Sequence, residues 1–171
     1  MLDEVVKEMQ GIQVEEEIDV QIDLNVTSYI PENYIPDSGQ KIEIYQNIAL
    51  CRSEEDIQNV IDEIIDRFGN MPKELENLLQ IARIKYLSKE LQVSKILQKQ
   101  KNIVYTFENK NVDFDISELV KQYKDKVRFS PGIKTSITVV VNETNQVKLL
   151  VEILKFLNVL KKTKKNDIIL T

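Results

Sequence analysis

Between Glu17 and Val26 the chain changes polarity at every residue. Ile18, Val20, Ile22, Leu24 and Val26 fall on one side of an extended backbone, with Glu17, Asp19, Gln21, Asp23 and Asn25 on the other. A helix cannot bury such a pattern on one face, because its apolar positions recur every 3.6 residues. The segment therefore predicts a β-strand with one side on a core and the other in water. Pro31 and Pro36 bracket a turn-rich stretch, and from about Ser38 the period becomes helical. A chain that must place one strand, then helices, then strands and helices intermixed belongs to the α+β class.

The helical run divides at recognisable signals. The first helix spans about Ser38 to Leu50, with Ile42, Tyr45, Ile48 and Ala49 as its apolar stripe. Ser53 caps the next, with Asp56 three residues on as in a capping box. Ile57, Val60, Ile61, Ile64, Ile65 and Phe68 form its broad inner face, and Gly69 ends it. Pro72 opens a third helix that runs to about Leu91. Three consecutive helices with short joints imply a helical subdomain, packed with a small, mainly antiparallel sheet. Strands are expected at Val93 to Leu97, Ile103 to Phe107, Val127 to Phe129 and Ser136 to Val141. A short helix is expected from Ile116 to Tyr123, and a last one from Thr144 lined by Val147, Leu150, Val151, Leu154 and Leu157. Upstream, Leu2, Val5, Val6 and Met9 share one face of a short helix that Gly11 stops.

Length and charge narrow the function. The 171 residues suffice for one domain with a real core. A net charge of −5 disfavours nucleic acid unless the basic residues are segregated, and suits a basic protein partner. The chain has no histidine, which removes serine–histidine catalysis and histidine-based metal sites. Four unclustered glycines offer no phosphate cradle. Cys51, the only cysteine, reads as a small buried hydrophobe because no histidine is present to activate it. Glu15, Glu16 and Glu17 could in principle hold a metal, but a run of acids beside a strand is more simply a solvated edge. Asp3-Glu4 reads as charge in the first turn of a helix. Neither a signal peptide nor a membrane-spanning stretch is visible, so the chain reads as cytoplasmic. No enzyme activity and no cofactor are expected. Lys161, Lys162, Lys164 and Lys165 crowd the end of the last helix, where cations suit the dipole. An alternative reading makes that lysine-rich helix a nucleic-acid-binding element.

Two stretches resemble a known family. One is Asp23-Leu24-Asn25-Val26-Thr27 running into Tyr34-Ile35-Pro36-Asp37, followed by Lys41 and Tyr45. The other is Ile64-Ile65-Asp66-Arg67-Phe68-Gly69 with Pro72, then Ile81-Ala82-Arg83. In this order and separation they resemble the C-terminal (TRCF) domain of bacterial transcription-repair coupling factors, most clearly over residues 18–97. The resemblance implies a non-catalytic regulatory domain, residues 17–171, of an ATP-driven DNA translocase. Residues 1–16 would then be the end of a linker helix from the motor. It implies partners that belong to the parent protein: RNA polymerase, DNA, the excision-repair protein UvrA, and the parent's own UvrB-like N-terminal module. In that family the domain packs on the UvrB-like module, hides its UvrA-binding surface and restrains the motor. The masking contact uses acidic residues that match Glu63 and Asp66. Their i, i+3 spacing sets both on one side of a helix, where they can meet arginines of a partner. Arg67 is expected to make an internal contact, and the isolated domain to be monomeric.

Overall fold

The computed structural model describes residues 18–108 and 114–164. The elements run β1 (Gln21–Asp23), α1 (Ser38–Ala49), α2 (Glu54–Phe68), α3 (Lys73–Leu91), β2 (Val93–Lys99), β3 (Asn102–Phe107), α4 (Ile116–Tyr123), a 3-10 turn (Lys124–Lys126), β4 (Val127–Ser130), β5 (Ser136–Val140) and α5 (Gln146–Thr163). The fold is α+β. Its five-stranded sheet has the order β1-β2-β3-β5-β4. Only the β1–β2 pair is parallel; the other pairings are antiparallel. The expected helix at Leu2 to Met9, the acids Glu15 to Glu17, Asp3-Glu4 and Lys165 lie outside the described residues.

Two hydrophobic cores share α3. The helical core gathers Ile30, Ile35, Ile44, Ile48, Ile57, Val60 and Ile64 against Leu75, Leu79 and Ala82 in the first half of α3. The sheet core takes Ile84, Leu87 and Leu91 from its second half and packs them with β2, β3, β5, α4 and α5. Apolar residues all around α3 make this possible, since such a helix can be buried on more than one side. Side-chain amides tie the N-terminal segment across the junction. Asn77 Nδ2 donates to the Thr27 carbonyl at 3.0 Å, and Gln146 Oε1 accepts from Thr27 N–H at 3.0 Å.

Several expectations change on inspection. Alternation does persist from Ile18 to Val26, with the apolar residues half-buried and the polar ones exposed. Regular pairing, however, is confined to Gln21–Asp23, which pair with Lys95 to Leu97 of β2. In α1 the inner stripe is Ile44 and Ile48, while Ile42 is 57% exposed and Ala49 is also exposed. In α2, Ile65 is 45% exposed. In α5, Leu150 and Leu157 are buried as expected and are joined by Leu149, Ile153, Phe156 and Leu160, whereas Val147 and Val151 face outward. Each of these helices carries apolar residues over more of its circumference than one neighbour can cover, and the packing partner selects the face. Pro72 is the N-cap of α3 rather than its first helical residue.

Gly69 closes α2 at φ 88°, ψ −160°, a region that side chains strongly disfavour, and its N–H donates to the Ile65 carbonyl. A Cβ there would meet no atom within 4 Å, so strain alone sets the cost of a substitution. Gly69→Ala is expected to destabilise the domain by about 1–3 kcal/mol, read by urea denaturation as a lower midpoint with an unchanged slope.

Candidate docking face on α2

The ends of α2 are fixed by short polar contacts. Ser53 Oγ accepts from Asp56 N–H at 3.1 Å, and Asp56 Oδ2 accepts from Arg52 N–H at 3.0 Å. The reciprocal bond of a capping box thus reaches one residue further back than Ser53 itself. Ile57, Val60 and Ile64 then turn into the helical core, which directs Asp62, Glu63 and Asp66 away from it.

The two sequence motifs meet in space at the other end of α2. Tyr34 lies 6.0 Å from Phe68, centroid to centroid, and its hydroxyl donates to the Gly69 carbonyl. Arg67 lies over the Phe68 ring at 5.0 Å, and it donates to Glu63 at 3.2 Å and to Glu43 of α1 at 3.5 Å. Ile35 is fully buried, and Asp37 caps α1 by accepting from Gln40 N–H at 2.8 Å. Most of the motif residues are therefore structural. Phe68 and Gly69 anchor and close α2, Arg67 clips it to α1, and Tyr34 braces both.

Within the run from Asp66 to Gly69, Asp66 alone is left without a structural task. It is exposed and makes no ion pair among the described residues. Glu63 differs: its side chain is 41% exposed and already shares Arg67 with Glu43. The pair is thus asymmetric, one carboxylate open and the other pre-oriented by an internal arginine. Ile65 is also exposed, flanking Asp66 on the side of the helix away from Glu63. An acidic pair next to an exposed aliphatic side chain can supply both charge-assisted bonds and apolar contact to a docking partner.

The Arg83 guanidinium, from the Ile81-Ala82-Arg83 stretch, grips Glu54 at 2.8 and 2.9 Å and so pins the start of α2 to α3. Tyr86 adds a hydroxyl to the same carboxylate at 3.2 Å. The hydrogen bond from Arg83 holds the Glu54 carboxyl below its ordinary range, and burial with the Glu54 charge pushes the Tyr86 phenol up to about 12. A depressed folded-state pKa at Glu54 contributes stability that is fully present above the ordinary value of 4.5 and is lost as pH falls below it. Because the Glu54 side chain is 57% exposed, screening limits the pair to about 0–1 kcal/mol. Glu54→Gln is expected to flatten the acid limb of stability against pH by that amount, measured by urea melts across the acid range.

The remaining candidates offer little chemistry. Cys51 is half-buried, its Sγ lies 3.4 Å from the Asn47 carbonyl, and burial followed by Asp56 pushes its thiol up. Such a thiol is a poor nucleophile. Among the described residues no group of three or more Cys, Asp or Glu side chains is placed to hold a metal ion. None of the described helices is long and apolar enough to cross a membrane. Of the C-terminal lysines, Lys161 pairs with Glu90 at 3.1 Å and Lys164 forms a β-bridge with Phe114.

Comparison with known proteins agrees with this architecture. A family model described as the TRCF domain matches residues 24–118. The chain is 32% identical over 174 residues to the transcription-repair-coupling factor of Bacillus subtilis (strain 168), covering 98% of this chain and 15% of that protein. It is 29% identical over 165 residues to that of Borreliella burgdorferi, covering 94% and 14%. It therefore spans about 15% of the length of these relatives. A crystal structure of the C-terminal domain of transcription-repair coupling factor superposes with a TM-score of 0.79 at 23% identity, over 90% of this chain and 99% of that one. The chain belongs to the TRCF domain family, the C-terminal domain of transcription-repair coupling factors.

Proposed function

We propose that this domain is a non-catalytic latch. It docks through Glu63, Asp66 and the neighbouring Ile65 onto the UvrB-like module of its parent protein, masks the UvrA-binding surface there and restrains the DNA translocase. The observation that carries this reading is the division of labour along α2, where Asp66 stays open while its neighbours in the motif are committed to the fold.

The energetics suit a switch. A latch closed about 99% of the time needs only about 2.7 kcal/mol. Tethering within one polypeptide supplies an effective concentration on the order of 1 mM. A dissociation constant of about 10 μM for the separated pieces then suffices. Two exposed ion pairs give about 0–1 kcal/mol each, so Ile65 must add apolar contact. Residues 1–16 act in this scheme as the connection from the motor, and RNA polymerase and DNA are partners of the parent rather than of this domain.

The reading is tested by deleting the domain from the parent protein. ATPase rate and UvrA binding are both expected to rise, and a deletion that leaves both unchanged would contradict it. The alternative of nucleic-acid binding through Lys161, Lys162, Lys164 and Lys165 is weakened by the Lys161–Glu90 pair. Duplex DNA binding with a steep salt slope would restore it.

A further inference from the structure

A cleft of about 500 Å³ opens at one end of the sheet, between the connection from α4 to β4 and the connection from β5 to α5. Its inner wall is aromatic, built from Tyr105 of β3, Tyr123 at the end of α4 and Phe156 of α5. The Tyr105 ring lies 4.5 Å from Phe156, and Tyr123 meets Phe156 edge-on at 5.2 Å. Charged groups complete the lining. Lys124, Asp125 and Lys126 come from the 3-10 turn, Glu143 from the segment before α5, and Glu152 from α5. The cleft shares no residue with the helical core to which α2 belongs.

Tyr105 is the unusual member of this wall. It is 1% exposed, yet its hydroxyl makes no hydrogen bond among the described residues. Burial pushes its phenol well above the ordinary range, and the groups that add to the shift, Tyr123 and Glu152, both line the cleft. The hydroxyl therefore looks into the cleft. A buried hydroxyl without a partner costs stability, so its presence calls for a task. Glu152 is weakly committed as well. Its ion pairing among the described residues is one long contact, 4.0 Å to Lys155 a turn further on.

We propose that this cleft takes an arginine side chain presented by a partner protein, with the guanidinium donating to Tyr105 Oη and the Glu152 carboxylate. The phenol oxygens and the carboxylate are acceptors, and a guanidinium carries five donors in one plane. The aromatic wall favours a cation over an anion. Asp125, Glu143 and Glu152 outnumber Lys124 and Lys126 around the cleft. An anion drawn to those lysines would have to enter beside the Glu152 charge, which disfavours it. The inference uses neither Glu63 nor Asp66, and its failure leaves the docking role of α2 untouched.

Amide NMR of the full chain is followed while a blocked glycine-arginine-glycine peptide is added. Shifts are expected at Tyr123, Asn142 and Glu152, with smaller ones at Glu32, an exposed carboxylate outside the cleft. The expected dissociation constant is on the order of 1 mM. The same peptide with citrulline keeps the shape of arginine and loses its charge, and is expected to bind at least about 10-fold more weakly. Glu152→Gln is expected to weaken the arginine peptide by a similar factor of about 10. Tyr105→Phe separates binding from folding. It removes only the hydroxyl, and is expected to weaken the arginine peptide about 5-fold while the urea midpoint stays level or rises. A lower midpoint would mean that the hydroxyl serves the fold, and would overturn the proposal. So would equal binding of the arginine and citrulline peptides, or equal shifts at Glu32 and in the cleft. A cleft that responds to an oligothymidylate and not to the arginine peptide would overturn it too, by placing phosphate against Lys124 and Lys126.

Discussion

Phe156→Ala is expected to cost about 3–5 kcal/mol, a large share of the 5–15 kcal/mol that holds a domain of this size together. Phe156 is 1% exposed on the inner face of α5. Its ring lies 4.5 Å from Tyr105 of β3 and 5.2 Å, edge-on, from Tyr123 at the end of α4. Removing it opens a cavity between the sheet and two helices, where fixed backbone on every side prevents collapse. Tyr105 is itself fully buried, and its phenol is pushed well above the ordinary range by that burial. Val151→Ala, on the same helix but 40% exposed, is expected to stay within about 0.5 kcal/mol. Urea denaturation of both variants checks the contrast. Equal losses would mean that α5 does not pack as described.

The second large effect concerns docking rather than folding. In the parent protein, Glu63→Lys together with Asp66→Lys is expected to move the latch from about 99% closed to roughly half open, a loss of about 2.7 kcal/mol of docking. Reversal removes two attractions and replaces them with repulsion, which doubles the effect of simple deletion. The domain itself should barely notice. Asp66 has no ion pair among the described residues, and Glu63 gives up only an exposed contact with Arg67, which keeps Glu43. UvrA capture by the parent, measured beside the thermal stability of the isolated domain, separates the two effects. Arg67→Ala provides a contrast. It should cost fold stability at the α1–α2 clip and leave the Asp66 carboxylate available.

Much of this was legible in the sequence, for reasons that differ from element to element. The boundaries of α2 follow from Ser53 and Gly69, whose side chain and backbone freedom act locally. Alternation in residues 18–26 survives because the segment lies against the sheet core on one side only. The facing of α1 and α5 was not legible. Ile42 and Val151 are as apolar as the residues that are buried, and only the neighbouring helix decides between them. Nor could β1 be paired with β2 from sequence, because the partners are separated by the entire helical subdomain. At the candidate site, the spacing of Glu63 and Asp66 announced a shared side of the helix. It did not reveal that Arg67 reaches across to Glu43, or that Tyr34 closes on Phe68 and Gly69. Those are contacts between distant parts of the chain, and no local pattern encodes them.

The central claim is that α2 presents an acidic, partly apolar face to a sibling module, and titration tests it most directly. The isolated UvrB-like module of the parent is titrated with this domain at low and high salt, first as wild type and then with both carboxylates reversed. The account predicts a dissociation constant of about 10 μM at low salt, weaker binding at high salt, and a loss on the order of 100-fold for the reversed variant. Wild-type and reversed domains that bind equally well, or a wild type that shows no binding well above that concentration, would contradict it.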